Sequence, residues 1–224
     1  MIAPDMPRHG ARWQSGGSLD EIADTIVGQW PEPPLDLGGY SFGGRVALHI
    51  AIRHPGRVRR LVLLGATRGI KNDEQRAERR RRDDELAAHI EQVGADQFID
   101  EWLAQPMFAG MRPDPAERHA RSGQVATSLA ASLREAGTGA QRWLGHEMGA
   151  ITSPTLAMAG VRDDRFAREA SAIARAVSGS FALVPGAGHA AHIEQPEWCA
   201  TVVGTFLDAP VDRPDGNRQD DAEK

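Results

Sequence analysis

Leu35-Asp36-Leu37-Gly38-Gly39-Tyr40-Ser41-Phe42-Gly43-Gly44-Arg45-Val46-Ala47-Leu48 is the stretch on which the fold turns. An extended apolar segment runs into Gly39-Tyr40-Ser41-Phe42-Gly43, a G-x-S-x-G pattern. Val46, Ala47, Ile50 and Ala51 then recur at helical spacing. Strand, sharp turn and helix form the context in which this pattern makes a nucleophile elbow. The flanking glycines leave room where side chains would collide with the adjoining strand and helix. The Ser41 hydroxyl is then expected at the C-terminal edge of a sheet, beside a helix N-terminus. There the Phe42 amide points at whatever Ser41 attacks, or at an oxygen gathering charge. The plainer alternative is a glycine-rich turn that only packs tightly.

Outward from the elbow, the chain alternates strands with helices. Ser18-Leu19-Asp20-Glu21 reads as a capping box opening a helix with an apolar stripe at Leu19, Ile22, Ala23, Ile26, Val27 and Trp30. Met1 to Asp5 reads as the end of a strand and Pro7 to Gly10 as a turn. Val58 to Ala66 is nearly continuously apolar, as a strand buried on both faces is. Thr155 to Ala159 and Ser180 to Val184 are further strands. Helices are expected over Phe166 to Val177 and Glu197 to Leu207. The pattern predicts an α/β protein with a parallel sheet covered on both faces and ligands at the carboxyl ends of its strands.

Residues 67–148 change character. They are arginine-rich and helical, with helices from Lys71 to Val93 and from Asp96 to Trp102, and a third broken by Gly137-Thr138-Gly139. The segment is too long for a loop and is expected to form a helical cap insertion over the elbow edge. Residues 1–208 thus make one domain, and the polar residues 209–224 read as a disordered tail.

Bulk composition narrows the function. The 224 residues carry a net charge of -5, which gives no reason to expect nucleic acid. Cys199 is the one cysteine, so neither a disulfide framework nor a cysteine metal site is available. No apolar run approaches membrane length, and Ile2-Ala3-Pro4-Asp5 after Met1 is no signal peptide. A cytoplasmic protein acting on a small molecule, without metal or organic cofactor, is expected; the oligomeric state is open. Only Lys71 and Lys224 are lysines among 26 basic residues. Arginine grips carboxylates through paired hydrogen bonds, although most of so many arginines belong to solvated faces.

A serine hydroxyl needs an imidazole within hydrogen-bond reach, and the imidazole needs a carboxylate to fix its tautomer. His189 follows a Gly-x-Gly approach just after the strand ending at Val184. Asp163 and Asp164 both follow the strand ending near Ala159, and position alone barely separates them. Among the other histidines, His9 precedes the elbow, His49 and His54 lie on its helix, and His89, His119 and His146 lie in the insertion.

With elbow, insertion, late acid and late histidine in place, the chain resembles the alpha/beta-hydrolase superfamily, where the order is Ser, acid, His. Within it, the sequence is similar to the 2-succinyl-6-hydroxy-2,4-cyclohexadiene-1-carboxylate synthases of menaquinone biosynthesis. The matching runs are Gly39 to Leu48, the Gly69 to Asp83 helix with Arg76 and Arg79, Trp102 with Gln105-Pro106-Met107-Phe108, and Leu133-Arg134 with Gly137 to Gly139. Two later runs match as well, Gly160 to Phe166 and Gly186 to His192. The resemblance implies a lyase whose Ser41, His189 and Asp163 serve as a base, removing a ring proton while pyruvate leaves an enolpyruvyl ether. It also implies that Arg45, Arg79 and Arg121 bind substrate carboxylates, that Tyr40 and Trp102 shape the pocket, and that Phe42 lends its amide.

Three departures stand out. In that family two or three strands precede the segment matching Ile2 to Asp5, one leading into a His-Gly loop that donates the second oxyanion-hole amide. Here Met1 falls where the fourth strand should start, so a truncated N-terminus is expected. A true start further upstream, a decayed gene, and direct pairing of Ile2 to Asp5 with the elbow strand are the open explanations. Arg8 stands where the family usually has glycine, and Lys71 where an uncharged amide is common. The competing functions are a serine esterase or carbon–carbon bond hydrolase using Ser41 as a nucleophile, and an inactive remnant.

Overall fold

The computed structural model describes residues 2–12, 15–30, 34–111 and 115–210. The tail expected at 209–224 lies outside them from residue 211 onward. Four strands, β1 (Leu35–Tyr40), β2 (Val58–Leu64), β3 (Thr155–Gly160) and β4 (Ser180–Val184), form one parallel sheet in the order β1-β2-β3-β4. Helices join them: α1 (Leu19–Val27) precedes β1, α2 (Phe42–Arg53) links β1 to β2, and α6 (Asp164–Ala176) links β3 to β4. The chain closes through α7 (Ala191–Glu194) and α8 (Pro196–Asp208).

Strand alternation explains why both faces are apolar. On β2, Leu61 and Leu63 enter the core shared with α1, α2 and α6, while Val62 and Leu64 turn to the opposite face. On β3, Ala157 and Ala159 share the first core, and Leu156 and Met158 the second, under Trp198, Val202 and Phe206 of α8. Burying a side chain such as Ile22, Leu48 or Leu63 is worth roughly 1.5–3 kcal/mol. The capping box is present: the Ser18 hydroxyl accepts from the Glu21 amide, and Glu21 reaches back to the Ser18 amide at 2.8 Å. Asp20 on α1 and His49 on α2, 2.7 Å apart, lock the two helices together. Burial pushes the His49 imidazole down. Burial also raises the Asp20 carboxyl, but hydrogen bonds from Arg142 and His49 outweigh it and hold that group at about 2.

The strand expected at Met1 to Asp5 is not formed. Met1 lies outside the described residues, and residues 2–6 join no ladder, with Ile2 78% exposed. Among the described residues β1 pairs with β2 alone, which overturns the direct pairing of Ile2 to Asp5 with the elbow strand. An extended segment becomes a strand only where a neighbour takes up its hydrogen bonds. Instead, the Asp5 carboxylate accepts from the Ala11 amide and closes the following turn.

Between β2 and β3 run α3 (Asp73–Leu103), α4 (Pro115–Ser122) and α5 (Ala126–Ala136), with no strand among the described residues there. Gly94, at φ 84°, breaks α3 into the two helices expected on either side of it. Ala87, Ile90 and Ala130 pack α3 onto α5. The C-terminal end of α5 is tied down from three sides. Arg8 forks onto Glu135 at 2.6 and 3.1 Å, Arg45 donates to the Ala136 carbonyl at 2.7 Å, and the Gly139 amide donates to the buried Asp83 at 2.8 Å. Arg8 holds φ 69°, a left-handed conformation that favours glycine and accounts for the residue usual at this position. Among the described residues no helix is long and apolar enough to cross a membrane.

Candidate active site

Ser41 sits between β1 and α2 at φ 48°, ψ −106°, a strained conformation for a residue with a side chain. The turn is this sharp because two glycines allow it. A Cβ on Gly39 would lie 2.3 Å from the Gly43 carbonyl oxygen, and one on Gly44 would lie 2.8 Å from the Ala66 Cβ. The Ser41 amide donates to the Leu64 carbonyl at 2.8 Å, fixing the turn to the end of β2. The first amides of α2, Phe42 foremost, have no partner within the helix and carry its positive dipole end.

His189 lies in the loop after β4, and Asp163 caps α6 after β3. His189 Nε2 is 3.0 Å from Ser41 Oγ, and His189 Nδ1 is 2.7 Å from Asp163 Oδ2. With Nδ1–H donating to the carboxylate, Nε2 accepts the serine proton. The other Asp163 oxygen accepts from the Phe166 amide at 3.3 Å, so one carboxylate caps a helix and orients the imidazole. Asp164 is exposed on α6, whereas Asp163 lies within hydrogen-bond distance of His189. The imidazole is 3% exposed and enclosed by rings, with Phe166 at 4.5 Å, Tyr40 at 5.3 Å and Phe108 at 6.1 Å between centroids. Burial pushes the Tyr40 phenol well above its usual value.

The other expected site residues fall at different depths. Arg45, one turn beyond Ser41, lies 5.2 Å over the Phe42 ring. Burial pushes its guanidinium down to about 10; the Arg79 charge acts in the same direction and Asp83 opposes it. Arg79 is bonded to Asp83 at 2.7 Å, whereas Arg81 and Arg82 pair with Glu78 on the solvated face. Arg121, on α4, is close enough for its charge to act on the Tyr40 phenol. Trp102 does not meet the triad directly; it packs on Phe108, which contacts His189.

Three neighbours were not singled out from sequence. Phe166 packs on the imidazole from the position three residues after Asp163. Gly65, at φ 59°, brings the end of β2 so near that a Cβ there would lie 3.1 Å from His189 Cε1. Glu194 binds the backbone beside His189. Phe166 and Glu194 lie within or just after the matched runs, but their spacing alone carries no signal of these contacts. Among the described residues no cluster of histidine, cysteine and acidic side chains suits a metal ion.

A serine at a strained strand–helix turn, with its imidazole and carboxylate drawn from two later loops of the same sheet edge, defines a class. The chain belongs to the alpha/beta hydrolase family, whose model matches residues 1–202, and it is an enzyme of that fold. Within the family, it is 33% identical over 209 residues to a Bacillus subtilis protein provisionally named 2-succinyl-6-hydroxy-2,4-cyclohexadiene-1-carboxylate synthase, covering 91% of this chain and 76% of that one. It is 33% identical over 162 residues to the synthase of that name from Escherichia coli O1:K1, covering 71% of this chain and 63% of that one. Among solved structures, MenH from S. aureus superposes with a TM-score of 0.82 at 31% identity, over 91% of this chain and 81% of that one. The chain is therefore shorter than each of these relatives.

Proposed function

We infer that this enzyme acts in menaquinone biosynthesis as a lyase, eliminating pyruvate from 2-succinyl-5-enolpyruvyl-6-hydroxy-3-cyclohexene-1-carboxylate. The observation that carries the reading is the pairing of a Ser41–His189–Asp163 relay with a partly buried arginine one turn beyond the serine. A substrate with several carboxylates needs fixed cations where its reacting ring sits; a simple ester does not. The names of the relatives support the same reading.

In this mechanism His189 Nε2 draws the proton from Ser41 Oγ, and the serine oxygen removes a ring proton. The electron pair of that C–H bond, at C2, forms a C2–C3 double bond, and the ring's existing C3–C4 double bond shifts to C4–C5. The ring C–O bond to the enolpyruvyl group breaks, and pyruvate leaves as its enolate, which takes up a proton. Asp163 holds the imidazole tautomer and stabilises its positive form. The Phe42 amide faces the oxygen on which charge gathers during proton removal. Arg45, Arg79 and Arg121 hold the substrate carboxylates, with Tyr40 and Trp102 shaping the pocket, and residues 67–148 act as the cap that carries two of those arginines.

The test incubates the purified chain with the enolpyruvyl substrate and follows pyruvate. Wild-type protein is expected to release it and Ser41→Ala to lose that activity. Absence of pyruvate, together with turnover of activated esters and fluorophosphonate labelling of Ser41, would assign a serine hydrolase instead.

A further inference from the structure

Glu194 ends α7, five residues beyond His189, and its side chain is only 2% exposed. Both of its carboxylate oxygens lie 3.0 Å from the Gly188 amide, and Oε2 also accepts from Arg162 at 3.0 Å. Gly188 is the residue before His189, and Arg162 is the residue before Asp163. One buried carboxylate thus holds the immediate neighbour of each of the two residues that must meet.

Other contacts bind the same two loops. The Arg162 amide donates to the Ala187 carbonyl at 2.9 Å, and a Cβ on Gly160 would lie 2.1 Å from the Gly188 oxygen. From the cap side, the Met107 carbonyl accepts from the His189 amide at 3.3 Å. Gly110 presses so close that a Cβ there would fall 1.9 Å from Glu194 Oε2, so the turn through residues 107–110 seals the carboxylate from water. Burying an ion carries a desolvation cost that pairing must offset. A neutral acceptor would serve the Gly188 amide alone; a negative charge is what brings Arg162 across from the other loop.

We propose that Glu194 is a positioning residue for the triad: paired with Arg162, it sets the separation of Asp163 and His189 and hence the hydrogen bond between them. The proposal rests on the lyase reading for its kinetic arm and on geometry for its spectroscopic arm. Displacing a catalytic group by about 1 Å can cost on the order of a hundredfold in rate.

The test compares the full chain with its Glu194→Gln and Arg162→Met variants. Pyruvate release is measured, together with the downfield proton resonance of the His189–Asp163 hydrogen bond. Glu194→Gln is expected to lower kcat by about 10- to 100-fold with KM within about twofold, and to shift or broaden the resonance. Arg162→Met is expected to act in the same direction more weakly, because Arg162 is 59% exposed. Wild-type kcat and an unchanged resonance in both variants would overturn the proposal. If wild-type protein releases no pyruvate, the resonance alone decides, and a change in Glu194→Gln upholds the positioning role while the lyase reading falls. If Glu194→Gln does not fold, Arg162→Met decides on both measurements.

Discussion

Gly38 and Gly39 stand side by side in β1, yet only one of them is required by the elbow. A Cβ on Gly39 would lie 2.3 Å from the Gly43 carbonyl oxygen, 2.5 Å from its carbon and 2.6 Å from the Gly44 nitrogen. All three atoms are backbone, so no side chain can swing aside. Relief requires the first turn of α2 to move away from β1, carrying Ser41 with it. A Cβ on Gly38 meets nothing nearer than the Val62 oxygen at 4.0 Å. Gly38→Ala is therefore expected to change stability by less than about 1 kcal/mol, since alanine narrows the unfolded ensemble without strain. Gly39→Ala forces overlap in a packed core, which costs about 1–3 kcal/mol or more. With a urea m-value of about 1–3 kcal/mol/M, that lowers the unfolding midpoint by about 1 M. Urea titrations followed by circular dichroism check this. Equal midpoints for the two variants, within about 0.3 M, would refute the claim that close backbone approach dictates the glycine.

Asp163→Asn is expected to cut pyruvate release by about 10³–10⁴ in kcat while leaving folding intact, because an amide no longer fixes the tautomer that leaves Nε2 free to accept; steady-state kinetics and circular dichroism test it together. Asp20 has its folded-state pKa held at about 2 against an ordinary 3.8, so its contribution is fully present above pH 4 and disappears as the pH falls through 2. Asp20→Asn should therefore cost about 2 kcal/mol at pH 7, and the gap from wild type should close in melts near pH 2. A gap that is constant with pH would contradict it. Arg8 combines a left-handed backbone with an ion pair to Glu135. Arg8→Ala keeps the strain and loses the pair, whereas Arg8→Gly loses both, so Arg8→Gly should be the more stable variant by about 1 kcal/mol in urea titrations.

The elbow was legible because three local signals coincide within fourteen residues: an apolar extended run, the glycine spacing around Ser41, and a helical stripe. Asp163 and His189 could be proposed because each follows a strand in the required order. The strand expected at Ile2 to Asp5 was misread because sequence records extended propensity and not whether a neighbouring strand offers hydrogen bonds. Position alone left Asp163 and Asp164 open; the family resemblance pointed to Asp163, and the structure puts that carboxylate 2.7 Å from the imidazole. Adjacent residues of a helix start point about a quarter-turn or more apart, and only the place of His189 says which one faces it.

The sequence by itself determined the order of the four strands with helices α1, α2, α6 and α8, the two-faced burial of β2, and the position of the serine. Those follow from periodicity and steric rules that act over a few residues. Only the tertiary structure decided that Gly65 and Phe166 wall the imidazole, that Arg45 reaches the end of α5, and that Glu194 joins the neighbours of Asp163 and His189. Such contacts join residues brought together by packing from separate elements, and no local pattern encodes which side chain another loop will present.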